Sequence, residues 1–459
     1  MKSKKFLLGV TTMATVLGTV LSLASCGATK GTPNFDIPEG GFDKDTKVSI
    51  TFYSTMSTTS LVPVVDDAIV EFNKLYPNIV IDHKQPGSYN DVRDQIKTEL
   101  AVGQGPNMAY CYPDHIALYN KAKKVVTLDN LIDDKKNELG LTDAEKADYI
   151  EGYYTEGKQF GDELMYSMPF SKSTEVLYYN KTFFDANNLT VPTTWDEMET
   201  VCKEIKRLAP NSTPLGVDSA SNWFITMCEQ LGSGYTSASG NHFLFNNDTN
   251  KAFVKKFASW YQQGLVTTQG LYGAYTSGLF TKTDGTQAYM CIGSSAGASY
   301  QAINGQEVGI TQIPHAANGK MKVISQGPSV CIFKKENPQE VMASWLFLKY
   351  LTTSVAFQAQ FGMKSGYVPV IKSVGDNEVY KAYLAQASTA KAGLPAAAAK
   401  VALAQADYYY TSPAFIGSST ARDQVGDLLE KAMSTSGLTD EQLNKLFTDA
   451  ISECEYDAA

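Results

Sequence analysis

An arginine near the C-terminal end is the residue best suited to bind an anion. Arg422 follows the hydroxyl run Ser418 to Thr420, at the start of a helix predicted over residues 421–433. Backbone N–H groups at a helix start, hydroxyls and a guanidinium can converge there on a phosphate. The alternative is an ion pair with Asp423 or Asp427 on a solvated face, although neither has the favoured spacing of three or four residues.

A second segment suggests ester hydrolysis. Residues 293–297, Gly-Ser-Ser-Ala-Gly, match the G-x-S-x-G nucleophile turn and follow a predicted strand. Such a hydrolase needs an acid and then a histidine later in the chain. Only His315 follows, 20 residues after Ser295, which leaves little room for the intervening elements. A serine esterase is therefore kept as the weaker alternative to a binding protein.

Other candidates for contact with a polar solute lie in predicted loops, at strand ends or at helix starts. Aromatic rings can lie against the apolar face of a polyol while their polar atoms form hydrogen bonds. Small hydroxyl side chains add donors and acceptors, and a glycine lets the backbone approach closely. The candidates of this kind are Tyr89, Trp223, Tyr367, Ser173, Ser294 and Gly327.

The remaining tryptophans and a tyrosine run are interpreted differently. Trp195, Trp260 and Trp345 are assigned to the hydrophobic core. The run Tyr408 to Tyr410 fits either a sugar-stacking platform or partly exposed packing.

Cysteines and histidines show no metal-binding pattern. The six cysteines after Cys26 and the four histidines are scattered, without C-x-x-C spacing. Cys291 and Cys331 lie in apolar runs, which favours buried free thiols. The even count leaves disulfide pairings open, and neither a metal nor a cofactor is predicted.

Strand and helix patterns alternate in the first third of the chain. Residues 47–54 read as a strand, 61–76 as a helix, 79–84 as a strand, 90–102 as a helix and 106–111 as a strand. This alternation predicts a doubly wound parallel sheet, in which ligands bind beyond the carboxyl ends of the strands. Tyr89 and the turn Tyr112-Pro113-Asp114 lie on such loops.

The length of 459 residues favours two lobes. The stretch from Pro169 to Met198 reads as strand, helix, loop and helix, and it opens the second lobe. The chain is predicted to cross between lobes again near residues 327–329 and 365–370, which indicates a hinge. The predicted lobes are residues 47–170 with 328–366, and residues 171–327 with 367–459.

Composition and charge exclude some partners. The net charge is −9 and arginines occur only at positions 93, 207 and 422. An acidic chain of this kind argues against nucleic acid and against a polybasic membrane patch.

The N-terminus has the features of an export signal. Lysines precede the apolar run Phe6 to Leu23, and Leu23-Ala24-Ser25-Cys26 closes it. This resembles a bacterial lipoprotein signal, which implies cleavage after residue 25, lipid on Cys26 and a membrane-anchored, extracytoplasmic protein. Residues 26–46 read as a flexible tether, because residues 27–43 are rich in Gly and Pro and show little periodicity. A surface adhesin would share this signal and remains a further alternative.

Several motifs together resemble the extracytoplasmic solute-binding proteins of carbohydrate-type ABC importers. They include Glu71-Phe72-Asn73 before Tyr76-Pro77, Leu177-Tyr178-Tyr179-Asn180-Lys181, Thr194-Trp195, Gly327-Pro328-Ser329 and Ser365-Gly366-Tyr367-Val368-Pro369. The resemblance implies an α/β, two-lobed, periplasmic-binding-protein-like fold of type II, each lobe a doubly wound sheet, joined by hinge crossings. It also implies a monomer without enzymatic activity that delivers a polar solute to permease subunits.

Within this group the sequence is most similar to glycerol-3-phosphate and glycerophosphodiester binders. By that resemblance the ligand residues are Tyr89, Ser173, Ser294, Gly327, Tyr367 and Arg422. One position departs, because those relatives have a glutamate directly after a tyrosine. Here Asp114 is shorter and displaced by one residue, so both glycerol phosphate and a neutral sugar or oligosaccharide are kept as solutes.

Overall fold

Short strands dominate the centre of each lobe in the computed structural model, which describes residues 30–458. The strands are β1 (Val48–Tyr53), β2 (Ile79–Lys84), β3 (Met108–Cys111), β4 (Met168–Pro169), β5 (Ser173–Asn180), β6 (Leu215–Val217), β7 (Val266–Thr268), β8 (Met290–Ser294), β9 (Val308–Thr311), β10 (Val323–Gln326), β11 (Ser329–Ile332) and β12 (Tyr409–Tyr410).

Helices cover the faces of the sheets. They are α1 (Val62–Leu75), α2 (Tyr89–Ala101), α3 (Pro113–Asn120), α4 (Asp129–Ile132), α5 (Asp143–Asp148), α6 (Glu151–Glu156), α7 (Lys181–Ala186), α8 (Trp195–Leu208), α9 (Ala220–Leu231), α10 (Asp248–Gln262), α11 (Gln269–Tyr272), α12 (Ser277–Phe280), α13 (Pro338–Thr353), α14 (Val355–Ser365), α15 (Glu378–Ala385), α16 (Leu394–Ala404), α17 (Ser418–Ser434) and α18 (Asp440–Ala458). Where the sequence predicts one helix over residues 272–280, Gly273 has a φ of +82° and ends α11, so α12 forms separately.

The first lobe is built on a five-stranded sheet with the order β2-β1-β3-β11-β4. Strand β1 pairs in parallel with β2 and β3, as the alternating pattern predicts. Strand β11 pairs antiparallel with both β3 and β4. The sheet is therefore mixed rather than fully parallel, because β11 enters it from the other lobe.

The second lobe has a seven-stranded sheet with the order β12-β10-β5-β8-β6-β7, and β9 also pairs with β5. Every residue of β5 except Tyr179 is buried. The strand starts at Ser173 rather than at the predicted Val176, because Ser173 and Thr174 pair with β10. The predicted order of strand, helix, loop and helix over residues 169–198 is confirmed, and a reciprocal cap between Thr194 and Glu197 starts α8.

Two of the passages between the lobes run side by side. Residues 170–172 join β4 to β5, and Gly327 with Pro328 joins β10 to β11. Gly327 has a φ of +90°, and a Cβ atom there would lie 1.8 Å from the Ser171 carbonyl oxygen. Only glycine fits this close approach of two backbones.

The third passage lies near residues 366–371. Just beyond the predicted boundary at 366, Ile150 N–H donates to the Val370 carbonyl, and Tyr149 forms a bridge with Ile371. These residues therefore still contact the first lobe, and the boundary between residues 366 and 367 stays a proposal.

Residues 34–42 of the predicted tether do not extend freely. The Asn34 N–H donates to Thr127 Oγ1 at 2.7 Å, and Asn34 Nδ2 donates to the Val125 carbonyl at 2.9 Å. Phe35, Ile37 and Phe42 pack against the core. The prediction of a flexible tether is wrong for this stretch, because its apolar side chains gain by burial on the first lobe. The predicted signal peptide and Cys26 lie outside the described residues.

Six cysteines are buried free thiols, as the sequence favours for Cys291 and Cys331. Trp195, Trp260 and Trp345 are core residues, as predicted. Among residues 30–458, no group of acidic, histidine and cysteine side chains is arranged to hold a metal ion. None of the helices in that range combines the length and apolar character that crossing a bilayer requires.

Candidate functional site

The main candidate site is a cleft of about 530 Å³ between the two lobes. The first lobe contributes the loop and helix start at residues 112–115, and the second contributes the start of α9 and the start of α17. Gly327 of the second passage lies in the wall as well. The lobes also touch directly, since the Ala414 N–H donates to the Gln159 carbonyl at 2.8 Å.

Arg422 lies in the wall of this cleft as the fifth residue of α17, because the helix starts at Ser418 rather than at the predicted residue 421. Its Nη2 donates to Asn222 Oδ1, and Asn222 Nδ2 donates to Glu175 Oε1 at 2.8 Å. Within the described residues neither Asp423 nor Asp427 forms an ion pair with Arg422; Asp427 faces Lys431 at 3.8 Å instead. The guanidinium is thus held by a neutral amide, which leaves its charge uncompensated at short range.

Among the carboxyl groups of the cleft, Glu175 has the most strongly shifted pKa, and it was not among the residues predicted from the sequence. It is 3% exposed, and this burial raises its pKa from 4.5 to about 7. The hydrogen bond from Asn222 and the charge of Arg422 lower the pKa, and nearby Asp218 raises it further. The sequence feature that could have identified Glu175 is a single acidic residue directly before the predicted strand that starts at Val176.

Asp218 is a second missed carboxylate. Its Oδ1 accepts hydrogen bonds from the Thr276 N–H at 2.8 Å and from Thr276 Oγ1 at 2.6 Å. Burial raises its pKa in spite of these two donors. Asp218 immediately follows β6, so the rule that ligands bind beyond the carboxyl ends of strands could have identified it.

Tyr89 and Tyr367 are brought together, although the tyrosines that line the cleft are Tyr112, Tyr235 and Tyr275. The hydroxyls of Tyr89 and Tyr367 lie 3.2 Å apart, and the Tyr89 ring meets the Tyr112 ring edge-on with centroids 5.2 Å apart. Burial raises the pKa of Tyr367 well above its usual value. Tyr89 therefore packs against Tyr112 of the wall, and Tyr367 in turn contacts Tyr89.

The small predicted residues fall into two groups. Ser294 and Asp114 lie in the cleft wall, and Ser294 Oγ accepts from the Ala296 N–H at 3.2 Å. Ser173 is buried at the junction of β5 and β10, opposite Gln326, and is not part of the wall. Ser173 is held in the sheet by its pairing with β10, so it does not line the cleft as the sequence predicts for a ligand residue.

Trp223 is a core residue, and its predicted contact with solute is wrong. It is 2% exposed, and its ring stacks on Phe257 with centroids 3.9 Å apart. Trp195 and Trp260 lie at 5.8 and 6.3 Å. Helix α9 is buried on most of its faces, so a residue on its first turn does not have to face the cleft.

Tyr409 and Tyr410 also pack internally. The Tyr409 ring stacks on Tyr153 at 4.9 Å, and the hydroxyls of Tyr410 and Thr226 are 2.9 Å apart. Thr411 and the following serine line the cleft instead. Packing is therefore the interpretation of the tyrosine run that the structure favours.

Ser295 is not arranged as a nucleophile. It is 2% exposed, and its Oγ accepts a hydrogen bond from the Thr174 N–H at 3.2 Å. Within residues 30–458 no histidine ring forms a hydrogen bond with it. The G-x-S-x-G segment instead ends β8 and starts a short 3₁₀ helix at residues 295–301.

The cleft carries more acidic than basic groups and several free hydroxyls. Its carboxylates are Asp114, Glu156, Glu175, Asp218 and Asp423, against the guanidinium groups of Arg93 and Arg422. Arg93 is already paired with Asp94 at 2.8 Å. In the cleft wall, the buried polar side-chain atoms without a hydrogen-bond partner among the described residues are Tyr235 OH, Ser325 Oγ, Thr411 Oγ1 and Ser412 Oγ. Such a surface offers many acceptors and hydroxyls to a ligand that is itself rich in hydroxyl groups.

Comparison with known proteins places this geometry in context. A family model described as bacterial extracellular solute-binding protein matches residues 67–388. The multiple sugar-binding protein of Streptococcus mutans is 24% identical over 244 residues, which cover 52% of this chain and 50% of that protein. The sn-glycerol-3-phosphate-binding periplasmic protein UgpB of Rhizobium meliloti is 26% identical over 242 residues, or 49% and 54% of the two chains. This chain spans about half the length of the curated relatives it matches.

Solved structures support the fold. A cyclic alpha-maltosyl-1,6-maltose binding protein from Arthrobacter globiformis has a TM-score of 0.72 at 16% identity, covering 89% of this chain and 100% of that one. UgpB from Mycobacterium tuberculosis, solved with glycerophosphocholine, has a TM-score of 0.69 at 17% identity, covering 89% and 98%. The predicted two-lobed α/β architecture is confirmed by these likenesses.

Proposed function

The chain belongs to the bacterial extracellular solute-binding proteins, and from this premise we propose that it captures a sugar or oligosaccharide between its lobes. In this proposal the lobes close over the sugar and present it to the permease subunits of an ABC importer. The protein acts as a monomer and needs no cofactor. The observation that carries the proposal is the cleft wall, which is rich in hydroxyls and in carboxylates.

The charge of the wall favours a neutral solute. Glu175 is buried and Asp218 half-buried in the wall, and neither carboxylate forms an ion pair within the described residues. A phosphate placed nearby would be repelled by the Asp218 carboxylate and by the ionised fraction of Glu175, whose pKa of about 7 leaves it partly charged at neutral pH. Sugar hydroxyls would instead donate to the free oxygens of these two carboxyl groups. The cleft volume also lies within the roughly 300–1,000 Å³ that is usual for small-molecule binding sites.

A glycerol-phosphate-type solute is the second candidate, and one local feature favours it. Ser418 and Ser419 form the first turn of α17, and Arg422 follows one turn later in the same wall. A helix start, hydroxyls and a guanidinium together suit a phosphate group. Relatives named for sn-glycerol 3-phosphate make this solute worth testing beside sugars.

Titration calorimetry of the wild-type protein and Arg422→Ala tests these candidates. We expect maltotriose to bind and sn-glycerol 3-phosphate not to bind. Loss of a hydrogen bond to a charged group would weaken maltotriose binding by about tenfold or more, as about 1.5–3 kcal/mol implies. The control is Arg207→Ala, because Arg207 is exposed on α8 and pairs with Glu204. Binding of glycerol phosphate alone, abolished in Arg422→Ala, would contradict the sugar proposal.

Membrane anchoring through Cys26 is proposed from the lipobox-like residues 23–26. We expect the wild-type protein to be found in the membrane fraction and Cys26→Ser to be released. Fractionation followed by immunoblotting measures this, with Cys454→Ser as a control at a buried thiol. Unchanged membrane association of Cys26→Ser would rule out this anchor.

A further inference from the structure

Lys172, on the first passage between the lobes, is fully buried. Its ammonium donates to Glu156 Oε1 at 2.6 Å and to the Gly327 carbonyl at 2.9 Å. Glu156 belongs to α6 of the first lobe, and Gly327 belongs to the second passage. One side chain therefore links the first passage, the second passage and the first lobe.

The third passage joins the same point. The Val368 N–H donates to the Lys172 carbonyl at 2.7 Å, and Ser329 Oγ donates to Glu156 Oε1 at 3.1 Å. All three connections between the lobes thus meet around one buried ion pair. Buried ion pairs are poor sources of net stability, so a role in holding a particular geometry is the better explanation for this one.

The same pair touches the solute cleft. Glu156 and Gly327 both lie in the cleft wall. Glu156 Oε1 takes the two donors, Lys172 Nζ and Ser329 Oγ, whereas Oε2 accepts no hydrogen bond from any residue between 30 and 458. The free oxygen is therefore the part of this ion pair that a bound molecule can reach.

We propose that Glu156 is a further solute-contacting residue and that Lys172 is a positioning residue that couples this contact to the hinge. This inference rests on the proposed function. In the closed protein, a sugar hydroxyl donates a hydrogen bond to Glu156 Oε2. Lys172 holds the opposite oxygen and, through Gly327 and Val368, keeps the three passages in one arrangement. A hydroxyl-bearing solute is thereby recognised at the point where the lobes pivot.

A double-mutant cycle with maltotriose as the probe tests the solute contact. Glu156→Gln keeps the shape of the side chain and an acceptor for Lys172 but removes the charge. We expect it to weaken maltotriose binding at least tenfold in calorimetry. Lys172→Met should also weaken binding, and the double variant should bind no worse than Glu156→Gln, because Lys172 acts through Glu156. Binding of maltotriose by Glu156→Gln within twofold of the wild type would overturn the contact.

The hinge role is tested without any solute. Small-angle scattering of Lys172→Met should show a larger radius of gyration than the wild type, since the passages are no longer held together. Lys445→Met is the control, because Lys445 forms an exposed ion pair with Asp449 on α18. Scattering of Lys172→Met identical to that of the wild type would overturn the coupling. Circular dichroism checks folding, and the double variant Lys172→Met with Glu156→Gln, which leaves no unpaired buried charge, gives the same test if Lys172→Met does not fold.

These two experiments separate the inference from the proposed function. A wild-type protein that fails to bind maltotriose refutes this use of the cleft, while the solute-free scattering still decides the hinge role. A wild-type protein that binds, with a Glu156→Gln variant that binds equally well, refutes only the inference.

Discussion

Replacing Trp223 with alanine is expected to lower the free energy of unfolding by about 3–5 kcal/mol. The side chain is buried among Phe257, Trp195 and Trp260, so its removal opens a cavity within an aromatic cluster. Its indole Nε1 has no hydrogen-bond partner in the described structure. Replacement by phenylalanine would therefore lose packing area but no hydrogen bond. Trp223→Phe should therefore be less destabilised than Trp223→Ala.

Urea denaturation followed by tryptophan fluorescence measures the difference, with Tyr300→Ala as the control because Tyr300 is 76% exposed. The same variants separate packing from ligand contact. A folded Trp223→Phe protein should bind solute within twofold of the wild type. Strongly weakened binding at unchanged stability would restore the solute contact that the sequence predicts for Trp223.

The second large effect concerns pH. We expect the Glu175 contribution to the free energy of unfolding to fall by about 2.5 kcal/mol as pH rises from 5 to 8. Desolvation lowers the pKa of half-buried His83 to about 4, which acts in the opposite direction. The pKa of Glu175 is about 7 in the folded protein and 4.5 for an unperturbed carboxyl. Between these values the folded state binds more protons than the unfolded state, so raising the pH favours unfolding.

Glu175→Gln removes this titration, so the change in the free energy of unfolding from pH 5 to pH 8 should be more positive in the variant than in the wild type. The groups that face Glu175 are Asn222, Arg422 and Asp218. Asp218 also has a raised pKa, so the informative quantity is the difference in slope between wild type and variant. Urea midpoints at pH 5 and pH 8 measure it, with Glu71→Gln as the control because Glu71 is an exposed carboxylate on α1. Equal slopes for the wild type and Glu175→Gln would contradict the assignment.

Four of the eight predicted ligand residues lie in the cleft wall, and their contact with a solute stays a prediction. They are Asp114, Ser294, Gly327 and Arg422. Each of them sits at a turn, a strand end or a helix start, where the local pattern already limits its position. Trp223 lies on a helix. Sequence spacing alone does not show whether an apolar side chain of a helix will face the hydrophobic core or the cleft.

Two acidic residues of the wall were not predicted from the sequence at all. Glu175 sits within a buried strand, and Glu156 ends a short helix in a charged segment. Their importance arises from Asn222, Arg422 and Lys172, which are distant in sequence or belong to other elements. Pairwise contacts of this kind have no local signature.

The sequence by itself determined the order of strands and helices, the division into two lobes and the site of the Gly327 passage. These features depend on hydrophobic periodicity, on turn residues and on the connectivity of the chain, all of which are local. Only the tertiary structure decided that Trp223 is core, that residues 34–42 lie on the first lobe and that Lys172 meets Glu156 at the hinge. The physical reason is that burial and ion pairing depend on which elements come together in space.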